Sequence, residues 1–375
     1  MYKFLNVLDT QYFIPKSLEN KPGNFSYTWK APSNIALVKY WGKITPQIPK
    51  NTSISFTLKH SHTITTIDFS LKDPNELVME SENNHIEFEL LFEGKKKDAF
   101  KPKIAIFFDR IKEYCPYIVD YKMLIHSKNS FPHSSGIASS ASGMSAIAMC
   151  LMSLEKTLSK EELSDAFINK KASFLARLGS GSACRSIEGP IVVWGYHKEI
   201  EGSSDLYGTL FPYKVHKVFQ NYQDTILLVD KGEKQVSSSV GHDLMHHHPF
   251  AEQRFIQANQ NVKKMTSIFK NGEIDQFINV VESEALSLHA MMLTSNPYFI
   301  LMKPNTLEII NAIWAYRKET GSKICFTLDA GANVHVLYPE IESKKVLQFI
   351  DHELSKFCQK KQYICDTISY GTQKL

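Results

Sequence analysis

Cysteine is sparse. The six residues at positions 115, 150, 184, 325, 358 and 365 form no CxxC pair, which argues against a disulfide-stapled secreted scaffold and against a structural zinc ribbon. Long apolar runs are missing too. The longest, such as Ile226 to Val229 and Pro190 to Trp194, fall well short of the roughly 20 residues that cross a bilayer, so no membrane span is expected. The first residues, MYKFLNVLDTQYFIPK, carry charges and a proline where a secretory signal needs an unbroken apolar core. These absences together predict a reducing, cytoplasmic setting. No sign of charge dominates: 43 Lys and Arg stand against 39 Asp and Glu, a net charge of +4. The one basic run, Lys95-Lys96-Lys97, reads as a solvated loop and not as a nucleic-acid platform. There is no fixed-period repeat and no low-complexity tract.

What is present is a chain of 375 residues, 43% of them hydrophobic, enough for a substantial core and too long for one compact unit. Two domains are the expectation. Residues 1–29 show no clean period and read as an irregular extension laid over a domain surface. Segments 34–40, 53–58, 63–70 and 85–91 are rich in β-branched and aromatic residues and predict strands. Helical spacing appears at 103–114, 144–154 and 161–178, and a short strand at 190–194. The polar stretch HKEIEGSSD that follows is the best candidate for a junction, giving domains at 30–205 and 206–375. The second half predicts strands at 225–230, 323–329 and 334–338 and helices at 249–269, 274–292, 305–319 and 343–359. It is αβ-mixed with antiparallel potential.

Four patches carry chemistry. In FPHSSGIASSASG (131–143) small side chains fill nearly every position from Ser134 onward, just ahead of an apolar helix. Small residues let backbone N–H groups approach a ligand, and a helix N-terminus adds about half a positive charge, so Ser134, Ser135, Gly136, Ala138, Ser139, Ser140 and Ser142 form a candidate phosphate cradle. The GxxxxGK[ST] signature is absent, which leaves a P-loop unsupported. GSGSAC (179–184) delivers Arg185. Cys184 stands where a dinucleotide fingerprint needs its last glycine, so a Rossmann reading fails. Arg185 is either half of a structural salt bridge or a fork for a carboxylate or phosphate. In TLDAGAN (327–333) Asp329 ends an apolar strand, either as a turn-former or as a catalytic acid. Lys39 interrupts the apolar run of NIALVKYWGK (34–43), as an edge residue or as a desolvated amine.

Taken together, APSNIALVKYWGK, FPHSSGIASSASG, GSGSACRS and LDAGAN, in this order and at these separations, resemble the diphosphomevalonate decarboxylases of the GHMP small-molecule kinase superfamily. The resemblance runs over about residues 30–340 and includes PKNTSISFTL from Pro49 and LHAMMLTSNP at 288–297. It implies an α+β, two-domain GHMP-kinase-like fold with the active cleft between the domains. It also implies ATP and Mg²⁺ as cofactors, mevalonate 5-diphosphate as substrate, no nucleic acid or membrane partner, and a homodimer. Residue by residue, it makes Asp329 the acid at the C3 hydroxyl, Lys39 its cationic partner and Arg185 the clamp on the C1 carboxylate, with Asn34 in support. Ser180, Ser182, Tyr40 and Lys43 would hold the substrate diphosphate, and Ser139 and Ser140 the ATP phosphates, with Ser140 at the metal. Ile44-Thr45 stands where the family usually has Arg-Asp, and Ala332 where it has Pro. The family's tryptophan-bearing hairpin is not recognisable at 73–84, so adenine contacts stay unassigned.

Two other readings remain open. A superfamily kinase or decarboxylase acting on mevalonate or its 5-phosphate is the nearer. His242 and His246, four apart, resemble half of a zinc-hydrolase signature if they lie on a helix.

Overall fold

The computed structural model describes residues 10–19, 21, 23–73, 86–132, 137–232 and 238–375. Two long strands organise the first half. β1 (Phe25–Val38) and β4 (Ser53–Leu71) run antiparallel over most of their length, connected through the small hairpin of β2 (Lys43–Ile44) and β3 (Ile48–Pro49). The sequence predicts β4 as two pieces, because Lys59 and His60 break the apolar pattern; the strand continues through them although its register with β1 shifts there, and the N–H groups of His60 and Ser61 donate to the Asp366 carboxylate at 2.8 and 2.7 Å instead. Added to this pair are β5 (Phe88–Phe92), β6 (Lys95–Lys96), β7 (Tyr121–Asn129), β8 (Ile191–Trp194) and β9 (Gly208–Leu210), giving with one late strand an eight-stranded sheet. β7 is absent from the sequence reading, although its alternating Tyr121, Met123 and Ile125 are the buried side chains that a half-buried strand requires.

Three helices cover one face: α1 (Lys101–Ile111), α2 (Ser139–Leu158) and α3 (Asp165–Gly179). Helix α3 starts where Ser164 accepts a hydrogen bond from the Phe167 N–H at 3.2 Å, an N-cap that places its start four residues after the predicted one. Phe13, from the N-terminal segment, stacks on Phe174 at 4.5 Å between ring centroids, so the described part of that extension is packed onto the first half.

The second half is a four-stranded antiparallel sheet in the order β11 (Cys325–Leu328), β12 (Val334–Tyr338), β10 (Gln223–Leu227), β13 (Tyr363–Thr367). With it go α4 (Ser238–Asp243), α5 (Ala251–Asn271), α6 (Ile274–Leu293), α7 (Pro304–Thr320) and α8 (Ser343–Phe349). The predicted helix 343–359 ends its regular α segment at Phe349 and continues in wider and tighter turns. HKEIEGSSD is the loop of the β8–β9 hairpin, so the first sheet continues to Leu210 before β10 opens the second. The last strand, β14 (Gln373–Lys374), returns to pair with β1. Among the described residues no helix is long and apolar enough to cross a membrane.

One apolar cluster joins the halves: Ile35, Leu37, Ile54 and Phe56 from the long strands pack with Ile226, Val262, Phe269, Phe277 and Val281. That is why the last eight residues of β1 are all buried, ending in the apolar run Ile35 to Val38, with helices on one face and the second half on the other.

Candidate active site

Lys39 is the first residue after β1, and Asp329 the first after β11. The packing that buries β1 brings these strand ends together, with Lys39 Nζ 3.0 Å from an Asp329 carboxylate oxygen. Lys39 is 2% exposed and Asp329 27%, so solvent reaches the pair from the acid's side. Burial pulls the Lys39 ammonium below its ordinary value, and the Asp329 charge pulls back against that. The lysine backbone is held just as firmly. Its N–H donates to Glu284 on α6 at 2.8 Å, and its carbonyl accepts from Asn51 at 3.0 Å and from Arg254 at 3.3 Å. Glu284, itself fully buried, pairs with Arg254 and accepts from Asn261 at 2.6 Å. On the acid's side, the ring Nε2 of His289 lies 3.1 Å from the Asp329 carbonyl, and the Gly331 N–H closes the turn on that same oxygen at 2.7 Å.

Arg185 sits in a short 3₁₀ helix, Gly181–Ser186, that follows the end of α3. It is buried, close enough to Asp329 and Lys39 for their charges to act on one another. One guanidinium nitrogen donates to Ser53, the planar head lies about 6 Å from the rings of Tyr40 (5.9 Å) and Trp194 (5.8 Å), and its buried Nε finds no acceptor among the described residues. A desolvated guanidinium with a donor still to satisfy suits an anion brought by a substrate. Asn34 points from β1 into the same turn, and its amide nitrogen donates to Ser186 at 2.7 Å and to the Ser182 carbonyl at 3.2 Å. It ties the turn to the strand.

The expected diphosphate residues come together beside this. The hydroxyl of Tyr40 lies against Gly181, where a Cβ would stand 2.8 Å from it, between Ser180 and Ser182. Burial keeps that hydroxyl protonated and lowers the half-buried Lys43 ammonium. Arg110, which no sequence signal singles out, donates to the Leu178 carbonyl at 2.8 Å and faces Lys43 as a second cation.

The nucleotide-side residues open α2. The helix begins at Ser139, earlier than its apolar period suggests, since Ser and Gly mask the pattern. Ala138 stands before it in a left-handed conformation, and the Ser140 hydroxyl lies 3.3 Å from that of Ser180, so the cradle and the Arg185 turn adjoin. Ser142 differs from the expectation. It is fully buried and its hydroxyl bonds Thr63 of β4 at 2.6 Å, away from any ligand at the helix end. Ser134, Ser135 and Gly136, and the hairpin sought at 74–84, lie outside the described residues.

The zinc alternative fails on geometry. Helix α4 ends at Asp243, so His242 and His246 do not share a helical face. The His242 Nδ1 accepts the Gly42 N–H at 2.9 Å, and among the described residues no three His, Cys, Asp or Glu side chains gather around a point.

Residues 31–206 match the family model for the diphosphomevalonate decarboxylase-like N-terminal domain, and residues 225–373 that for the mevalonate 5-diphosphate decarboxylase C-terminal domain. The chain belongs to the diphosphomevalonate decarboxylase family. Among curated members, diphosphomevalonate decarboxylase of Ganoderma lucidum is 28% identical over 87% of this chain and 81% of its own length, and that of Rattus norvegicus 25% identical over 84% and 76%. Among solved structures, MDDEF in complex with MVAPP, AMPPCP and magnesium superposes with a TM-score of 0.78, at 27% identity, over 94% of this chain and 99% of that one. Mevalonate diphosphate decarboxylase from Staphylococcus aureus gives 0.78 at 26% identity, over 94% and 98%.

The residues present suit the family's cofactors. Magnesium is usually held by one or two protein oxygens together with the phosphates it accompanies. The Ser140 hydroxyl, at the start of α2, is such an oxygen.

Proposed function

We propose that this chain decarboxylates mevalonate 5-diphosphate with ATP, giving isopentenyl diphosphate, ADP, phosphate and carbon dioxide. The observation that carries the reading is the meeting of Asp329, Lys39 and Arg185, from opposite halves of the chain, in one cleft. The chemistry needs all three charges. Hydroxide is a poor leaving group, so the tertiary C3 hydroxyl must first become a phosphate ester. Asp329 orients that hydroxyl and accepts its proton as the oxygen attacks the γ-phosphorus of ATP and ADP leaves. Lys39 keeps Asp329 ionised and offsets charge on the phosphoryl group in flight. The new C–O bond then breaks with both electrons going to phosphate. Arg185 holds the C1 carboxylate so that its C–C bond lies in line with the electron-poor C3, and carbon dioxide departs as the double bond forms. Asn34 supports this by fixing the Arg185 turn. Tyr40, Lys43, Ser180 and Ser182 hold the diphosphate, and Ser139 and Ser140 meet the nucleotide phosphates. Ser140 would hold magnesium there, and the ion would offset charge on those phosphates.

The division into two domains belongs to the same proposal, supported by the two separate sheets, with β9 carrying the first sheet past the expected boundary at 205 to Leu210. So do a cytoplasmic setting, supported by five buried cysteines that form no disulfide, and a homodimer, which sedimentation of the purified protein tests. The deciding assay offers mevalonate, its 5-phosphate and its 5-diphosphate separately, with ATP and Mg²⁺, and measures ADP and carbon dioxide together. Equal release of both from the diphosphate alone is expected. ADP without carbon dioxide marks a kinase instead, and turnover of a less phosphorylated substrate marks the nearer alternative.

A further inference from the structure

His242 is absorbed neither by a metal site nor by the catalytic charges, yet it is buried against the substrate side of the cleft. It belongs to the second half of the chain, on α4, and packs on a segment of the first half, Tyr40-Trp41-Gly42-Lys43. Its ring lies nearly parallel to Tyr40 at 4.3 Å between centroids and tilted to Trp41 at 4.5 Å. Its Nδ1 is 2.9 Å from the Gly42 nitrogen. The approach is tight on both sides: a Cβ on Gly241 would stand 2.4 Å from the Trp41 ring. Gly42 itself needs its lack of a side chain, at φ +100° with Phe255 and Met245 within 3.3 Å of a notional Cβ.

A backbone N–H can only donate, so Nδ1 must be the bare acceptor nitrogen and the ring proton must sit on Nε2. The groups facing the ring are Lys43, Arg185 and Tyr40 from the first half, with Asp243 next to it on its own helix. Burial, aided by the two cations, keeps the imidazole neutral, with its pKa pushed down to about 3. A cationic residue here would repel Lys43 and Arg185, and an aliphatic one would leave the buried Gly42 N–H unpaired.

We propose that His242 is a positioning residue for the substrate's diphosphate: as a neutral acceptor on Gly42, stacked on Tyr40 and Trp41, it holds the Tyr40 hydroxyl and the Lys43 ammonium where the diphosphate binds. The inference rests on the proposed function for the identity of that ligand. Through His242, the second half of the chain fixes the substrate-binding segment of the first.

The test compares wild type with His242→Phe, which keeps a flat ring but no acceptor, and His242→Asn, whose side-chain oxygen can replace Nδ1. His242→Phe should raise KM for mevalonate 5-diphosphate about 5- to 100-fold with KM for ATP changed less than about twofold, the scale of one unsatisfied buried donor. His242→Asn should recover much of that loss. An unchanged substrate KM in His242→Phe, an equal loss for ATP, or an Asn variant no better than Phe overturns the proposal. Should the Phe variant not fold, wild-type protein labelled with ¹⁵N in its histidines decides the matter. The His242 ring must show a bare Nδ1 and a protonated Nε2 unchanged between about pH 5 and 8, and a proton on Nδ1 overturns the proposal. Wild type that does not turn over the diphosphate at all overturns the functional reading itself, an outcome distinct from any of these.

Discussion

At the scale of single residues, the site sets two buried cations around one carboxylate that solvent partly reaches. Lys39 and Arg185 are both buried within reach of one partly open carboxylate, Asp329. Replacing Asp329 with Asn should cut turnover at least about a hundredfold, the order of magnitude of general-base loss, while an ATP analogue still binds by calorimetry. Arg185→Gln keeps polarity but loses the planar fork. It should raise KM for the diphosphate about 10- to 100-fold and leave ATP affinity near wild type, as expected for a charge-assisted pair, and steady-state kinetics with each substrate varied checks this. These residues were legible because each breaks a local rule: a lysine ends an apolar strand, an acid opens a glycine turn, and an arginine closes a stretch of small residues. Glu284, Arg254 and Asn261, which fix the lysine backbone, carried no such signal. A glutamate on an amphipathic helix looks solvated until its neighbours are known.

At the scale of elements, the start of α2 decides how the nucleotide is held. Ser140 is the second residue of the helix, its hydroxyl beside that of Ser180. Putting Leu at position 140 should weaken ATP-analogue binding about tenfold or more, on the scale of a lost hydrogen bond plus steric block, with little change in far-ultraviolet circular dichroism; titration of the nucleotide measures it. The elements most legible in the sequence were the strongly periodic ones. The strand expected at 334–338 is β12 as formed, and α6 differs from expectation by a single residue. Those less legible lay where local chemistry and tertiary demand diverge. β4 continues through polar Lys59 and His60, between the stretches that pair with β7 and β8, because the Asp366 carboxylate accepts from the His60 and Ser61 N–H groups, and α2 starts among serines that also favour turns. Ser142 shows the same limit within one motif: three residues after Ser139, it is turned into the sheet and bonds Thr63.

At the scale of the whole molecule, histidines buried between the halves couple folding to pH. Burial pushes His242 down to about 3 and His289 to about 4 from an ordinary 6.5. Below pH 6.5 the unfolded chain takes up protons on both while the folded chain does not, so stability falls as pH drops from 6.5 towards 4. The slope is up to about 1.4 kcal/mol per pH unit for each histidine, and their contribution is fully present above 6.5. Urea unfolding at pH 7 and pH 5 should show a smaller loss for a His242→Asn, His289→Asn double variant than for wild type. The amino-acid sequence by itself determined the kinds of group present, the order of the patches and the apolar periods that make strands and helices, because propensity and amphipathicity act over a few neighbouring residues. Only the tertiary structure decided that an acid at 329 meets an amine at 39, that His242 seats on Gly42, and that Ser142 faces inward. Those contacts join residues scores to hundreds of positions apart, and their geometry follows from the apolar core that the two halves share.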